Sequence, residues 1–90
     1  MTDDVETRRR RAAYRASHRG TKEMDWVLGR FAEQALADME GARLVAFEEL
    51  LELPDPALHQ MVMDGVPVAD GGLAALIAEI RAFHGLGGAT

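Results

Sequence analysis

The run TKEMDWVLGRFAEQALADM, residues 21–39, decides the fold. Its apolar members Met24, Val27, Leu28, Phe31, Ala35, Leu36 and Met39 recur at three- and four-residue steps, which lines them along one face of an α-helix. Thr21, Glu23 and Asp25 stand in or near the first turn, where a hydroxyl caps free N–H groups and negative charge suits the helix dipole. Gly29 lies inside the helix at a cost of about 1 kcal/mol relative to alanine, a sign of close packing against a neighbour. Trp26 falls off the stripe and is expected to be partly exposed.

Upstream, residues 1–7 read as a flexible tail. Residues 8–17, RRRRAAYRAS, hold good helix formers and no breaker. Apolar positions are few here, and Tyr14 is the expected anchor. Downstream, Glu40-Gly41 is a turn. A third helix over 42–52 points Leu44, Phe47, Leu50 and Leu51 inward, and Pro54 ends it. Asp55-Pro56 is a start signal, the carboxylate capping and the proline taking the first helical position. The fourth helix passes through Leu58, Met61 and Val62 to Asp64, and Gly65 takes the left-handed stop. Val66-Pro67-Val68 connects to a fifth helix over 71–84, capped by Asp70, with Leu73, Leu76, Ile77, Ile80 and Phe83 at helical spacing. Gly85 ends it, and residues 86–90 read as a second flexible tail. No stretch alternates with period two. The expected fold is all-α: a compact five-helix bundle, one domain over residues 8–85.

Ninety residues suffice for one core. With no cysteine, disulfides and thiolate metal sites are excluded. No apolar run approaches the roughly 20 residues of a membrane span. Asp3, Asp4 and Glu6, with no apolar segment beside them, argue against a secretory leader and make the cytoplasm the expected location. The net charge of −5 is unevenly spread: residues 1–30 carry eight Arg/Lys against five Asp/Glu, and residues 31–90 carry two against ten. A basic end of that kind suggests an acidic or anionic partner.

Little catalytic chemistry survives inspection. The chain has a single serine, Ser17, adjacent to His18 and so pointing away from it on a helix, which discounts a nucleophile–base pair. His18, His59 and His84 are scattered, without the spacing of metal ligands. Glu48 and Glu52 are read as a solvated face rather than an acid–base pair. His59 is read as a helix-surface residue. No glycine-rich phosphate cradle is present.

The break between the first two helices, His18-Arg19-Gly20-Thr21-Lys22-Glu23, admits two readings. Arg19 and Glu23, four apart, can be a surface ion pair worth about 0.2–0.5 kcal/mol, with Gly20 only a terminator. The same residues can also form a binding site held up by the flanking helices. The run Arg19-Gly20-Thr21-Lys22-Glu23-Met24-Asp25, followed by Leu28-Gly29-Arg30-Phe31, resembles the Arg-Gly-x-x-Glu signature of the SdhE-type succinate dehydrogenase assembly (flavinylation) factors, known in mitochondria as assembly factor 2. The likeness continues through Phe47-Glu48-Glu49-Leu50-Leu51-Glu52 and Asp55-Pro56-x-Leu58, and covers about residues 11–83. It departs from the family where Gln60-Met61-Val62 replace the aromatic often found in the Asp-Pro helix.

The resemblance implies a non-enzymatic assembly factor. It would bind the flavoprotein subunit of succinate dehydrogenase, or of fumarate reductase, and promote covalent attachment of FAD to a histidine there. No stably bound cofactor of its own is implied; it acts on the FAD of its partner. On this reading Arg19 hydrogen-bonds the partner near the flavin site through its planar fork. Gly20 allows close backbone approach, and Glu23 either orients Arg19 or bonds the partner. Asp25 and His18 are further candidates, and Arg11 and Arg15 widen the contact. The competing reading is a small helical nucleic-acid-binding or regulatory adaptor using the arginine run. It ranks lower because most of the chain is acidic and would repel a duplex.

Overall fold

Helix propensity and apolar spacing produce five α-helices: α1 (Val5–Ser17), α2 (Lys22–Ala35), α3 (Gly41–Leu51), α4 (Asp55–Val62) and α5 (Gly71–Phe83), with a 3-10 turn, Leu36–Asp38, after α2. The computed structural model describes residues 4–86, and among these there is no strand. The all-α five-helix bundle is therefore as expected. Its radius of gyration is 12.5 Å, against about 12 Å for one compact body of this length.

The first helix starts earlier than expected. The Asp4 carboxylate accepts from the Thr7 N–H at 2.7 Å, so the helix opens at Val5 rather than Arg8. The rest of the expected tails, residues 1–3 and 87–90, lies outside the described residues. Tyr14 is not the anchor. It is 64% exposed, and Ala12 and Ala16 are the buried residues of α1. The physical reason is distance: α1 lies so close to α2 that only small side chains fit between them. A Cβ on Gly29 would stand 3.2 Å from the Cβ of Ser17, so the glycine inside α2 is what permits that approach.

Thr21 caps α2 as expected, its hydroxyl accepting from the Met24 N–H at 3.2 Å. The helix buries Met24, Val27, Leu28, Phe31 and Ala32, and Trp26 is 57% exposed. The α-helix ends at Ala35, short of Met39, yet Leu36 and Met39 stay buried. The Met39 carbonyl, left without a helical partner, accepts from Arg9 Nε at 2.8 Å. Leu44, Phe47, Leu50 and Leu51 of α3 face inward as read. The Phe31 and Phe47 rings meet at 6.1 Å, tilted by 50°.

Leu58 and Val62 of α4 and Leu76, Ile77 and Ile80 of α5 complete the core. Gly65 takes the left-handed stop, φ +72°, and Asp70 caps α5 by accepting from the Leu73 N–H at 2.8 Å. Phe83, expected inward, is half-exposed and touches Phe31 edge-on at 5.7 Å. Helix α1 packs on α2 and α3, while α5 packs on α3, α4 and α2.

The basic and acidic stretches meet inside the molecule. Arg8 of α1 grips Glu48 of α3 through Nε at 2.9 Å and Nη2 at 2.5 Å. Arg15 pairs with Glu52 at 2.7 Å. Of the two glutamates expected to be solvated, Glu48 is turned to Arg8 and only 32% exposed because α1 lies across α3, whereas Glu52 stays 68% exposed beside Arg15. The Arg8 hydrogen bond holds the Glu48 carboxyl below its ordinary value of 4.5. A lowered carboxylate stabilises the fold above the unfolded-state pKa and loses that contribution as pH falls through the folded-state value. Arg8→Ala is accordingly expected to lose between a few tenths and about 1 kcal/mol near neutrality. Urea titrations of the two proteins should converge in strong acid; a gap of constant size at every pH would refute the pair.

Candidate functional site

The link between α1 and α2 folds onto the junction of α3 and α4. Helix α3 ends with carbonyls that have no helical partner, and Arg19 fills them. Its Nη1 donates to Leu51 O at 2.6 Å, its Nη2 to Leu53 O at 2.5 Å and its Nε to Asp55 Oδ1 at 2.9 Å. The Arg19 side chain is only 11% exposed and that of Asp55 18%, so this is a largely desolvated, charge-assisted network. The other Asp55 oxygen accepts from the Gly20 N–H at 2.9 Å. Asp25 accepts from the Arg19 N–H, fixing the main chain one residue earlier.

Several sequence expectations change here. Arg19 does not pair with Glu23; its carboxylate partner is Asp55. The Asp55 carboxylate does not cap α4: Pro54 is the cap residue, with no side-chain cap bond, and Asp55 itself opens the helix. Its oxygens are drawn instead to the arginine and the glycine amide, which offer stronger and closer donors. Glu23 lies on the exposed side and contacts His59, Oε1 to Nε2, at 3.2 Å. His59 in turn stands 3.6 Å from Asp64. Gly20 is exposed, but a Cβ there would meet Asp55 Oδ2 at 3.0 Å. The space its hydrogen leaves is filled from within the chain.

Around this corner opens a recess of about 330 Å³ lined by Tyr14, Arg15, His18, Arg19, Gly20 and Asp55. Four of the sequence candidates therefore share one wall. Glu23 borders a neighbouring hollow of about 240 Å³ with Thr21, Met24, Asp55, Pro56 and His59, and Asp55 belongs to both. Asp25 is turned inward. Arg11 is exposed on α1 and adds positive potential at Glu48.

Tyr14 was missed as a site residue. Its ring stacks on that of His18, centroids 3.9 Å apart and planes at 11°. The four-residue spacing that allows this stack was visible in the sequence, but an aromatic on a sparsely apolar helix reads as core. Asp55 was missed because Asp-Pro reads as a cap.

Ser17 and His18 come within reach of each other without forming a nucleophile–base pair. His18 Nδ1 lies 2.8 Å from the Tyr14 carbonyl, which requires it to donate there. It cannot then accept a proton from the Ser17 hydroxyl 3.3 Å away, which donates to Ala13 O at 3.0 Å. Among the described residues no group of three or more His, Cys, Asp or Glu converges as metal ligands do. No helix among them is long and apolar enough to cross a membrane.

Fold and site together define a small helical bundle with one preorganised, charge-paired corner facing an open recess. Residues 10–84 match the family described as flavinator of succinate dehydrogenase, and the chain belongs to that family. It is similar to the FAD assembly factor SdhE of Acetobacter pasteurianus, 38% identical over 68 residues, covering 76% of this chain and 62% of that one. It is also similar to the mitochondrial succinate dehydrogenase assembly factor 2 of Yarrowia lipolytica, 38% identical over 53 residues, 59% of this chain and 37% of that one. The chain thus spans less than two thirds of the length of either relative.

Proposed function

We propose that this chain binds the flavoprotein subunit of succinate dehydrogenase and promotes covalent attachment of FAD to it, without making the bond itself. The observation that carries the reading is a coincidence of place. The Arg19-Gly20-x-x-Glu23 run, inside the segment matched by the flavinator family, folds into a braced corner beside an open recess of about 330 Å³.

Such a corner acts through geometry. A helper that binds one conformation of its partner better than the others raises the population of that conformation. If that conformation aligns the flavin with the residue it is to join, the barrier falls because a conformational search has been removed. The exposed Tyr14–His18 stack, the Gly20 backbone and Glu23 are the groups placed to touch the partner. Arg19 supports them from behind, with Arg15 at the rim.

FAD is treated as the partner's cofactor. A resident dinucleotide asks for a cradle of amides or unpaired cations around its pyrophosphate. In the recess Arg19 is taken up by Asp55 and two carbonyls, and Arg15 by Glu52 and Leu51 O. The adaptor reading based on the arginine run is weakened because Arg8 pairs with Glu48 of α3 and Arg9 donates to the Met39 carbonyl. The flavoprotein subunit of fumarate reductase is a second candidate partner of the same chemistry.

The test is in cells lacking this chain. Their succinate dehydrogenase flavoprotein, run on a denaturing gel, should lose flavin fluorescence and regain it when the chain is restored. Undiminished fluorescence together with normal growth on succinate would end the proposal.

A further inference from the structure

We infer that Asp55 is the positioning residue of this corner: its carboxylate sets where Arg19 and Gly20 stand, and the helper's activity depends on it through them. This rests on the reading just given and names a residue that the Arg-Gly-x-x-Glu run does not contain.

The two carboxylate oxygens act on different parts of the chain. Oδ1 takes the Arg19 Nε–H and Oδ2 takes the Gly20 N–H, each at 2.9 Å. One rigid group thereby ties the side chain of one residue to the main chain of the next. The pair also bridges two helix ends. Arg19 sits on the carbonyls after the last turn of α3 and Asp55 opens α4, so each charge lies where the adjacent dipole favours it. The α1–α2 link, which has no apolar side chain of its own between Ser17 and Met24, is held down by this arrangement.

The chemistry of the carboxylate makes the inference testable with small changes. An asparagine keeps the shape but turns one oxygen into an NH2 donor, which must then face either the Gly20 N–H or the Arg19 Nε–H. One of the two bonds is lost whichever way the amide turns. A glutamate keeps the charge but adds a methylene, and its carboxylate cannot keep both 2.9 Å contacts from the same backbone position.

The experiment compares the wild-type chain with Asp55→Asn, Asp55→Glu and Arg19→Ala, each co-expressed with the succinate dehydrogenase flavoprotein subunit at a temperature where it is folded. Nitrogen–proton spectra follow the Gly20 amide and the Arg19 Nε–H. Glu79→Gln serves as the control, breaking the Arg43 ion pair between α3 and α5 away from the corner. In Asp55→Asn both signals should move, the core signals should stay, and covalent flavin should fall by about tenfold or more. Asp55→Glu should give an intermediate loss and Glu79→Gln none. If Asp55→Asn keeps wild-type flavin while Arg19→Ala loses it, Asp55 is not the positioning residue although the proposed function stands. If flavin is lost with the Gly20 and Arg19 signals unmoved, the effect does not pass through them and the inference is overturned. If neither variant lowers flavin, the inference falls together with the role given to Arg19, while loss of flavin in cells lacking the chain still tests the proposed function separately.

Discussion

Arg19→Ala should lower stability and abolish flavin attachment in the same protein. The substitution removes three hydrogen bonds, to Leu51 O, Leu53 O and Asp55, from a side chain only 11% exposed. It also strips Asp55 of its counter-charge while leaving that carboxylate mostly covered. Breaking a fully buried pair costs about 3–5 kcal/mol, and the partial exposure here reduces the expected loss to about 2–3 kcal/mol. For a domain of this size that lowers the melting temperature by roughly 10–20 °C. It leaves a folded protein, since a chain of this length has about 5–13 kcal/mol to lose. Below its melting point the variant should still fail to support covalent flavin, because the Gly20 loop is no longer held in place. Arg19→Lys retains a charge but cannot reach three acceptors at once, and should rescue part of the stability and little of the activity. A melting temperature unchanged in Arg19→Ala would show that the network does not exist.

Phe47→Ala carries the larger cost in stability. Phe47 is fully buried in α3, faces Phe31 of α2 and belongs to a core to which all five helices contribute. Removing a buried phenylalanine ring costs about 3–5 kcal/mol, through lost transfer energy and the cavity left behind. That is a large share of the roughly 5–13 kcal/mol expected of the domain, so the melting temperature should fall by roughly 15–30 °C. Urea denaturation followed by circular dichroism reads the loss directly. Phe47→Leu, which refills most of the volume, should lose clearly less. A midpoint shift in Phe47→Ala equivalent to under about 1 kcal/mol would mean that the ring is not at the centre of the packing.

The candidate site was half legible in the sequence. A glycine-broken basic run before an amphipathic helix pointed to residues 18–23, and His18, Arg19 and Gly20 do line one recess. Their partners were not legible. Asp55 lies 36 residues from Arg19 in the chain, and nothing local distinguishes a carboxylate that caps its own helix from one that reaches across to another. The expected Arg19–Glu23 pair fails for a related reason. Helical spacing relates residues on one continuous helix, and the chain between Arg19 and Glu23 is not one. Tyr14 was placed inside because apolarity was the criterion, whereas the gap between α1 and α2 admits only alanine, serine and glycine.

By itself, then, the order of residues determined what depends on near neighbours. It set the number of helices, the apolar face of α2, the caps at Thr21 and Asp70 and the stop at Gly65, because caps, periodicity and left-handed glycines act over a few positions. Tertiary structure alone decided which charges meet. Arg8 finds Glu48, Arg15 finds Glu52 and Arg19 finds Asp55 only once α1 has crossed α3. Strength in an ion pair comes from proximity and exclusion of water, and the folded packing sets both.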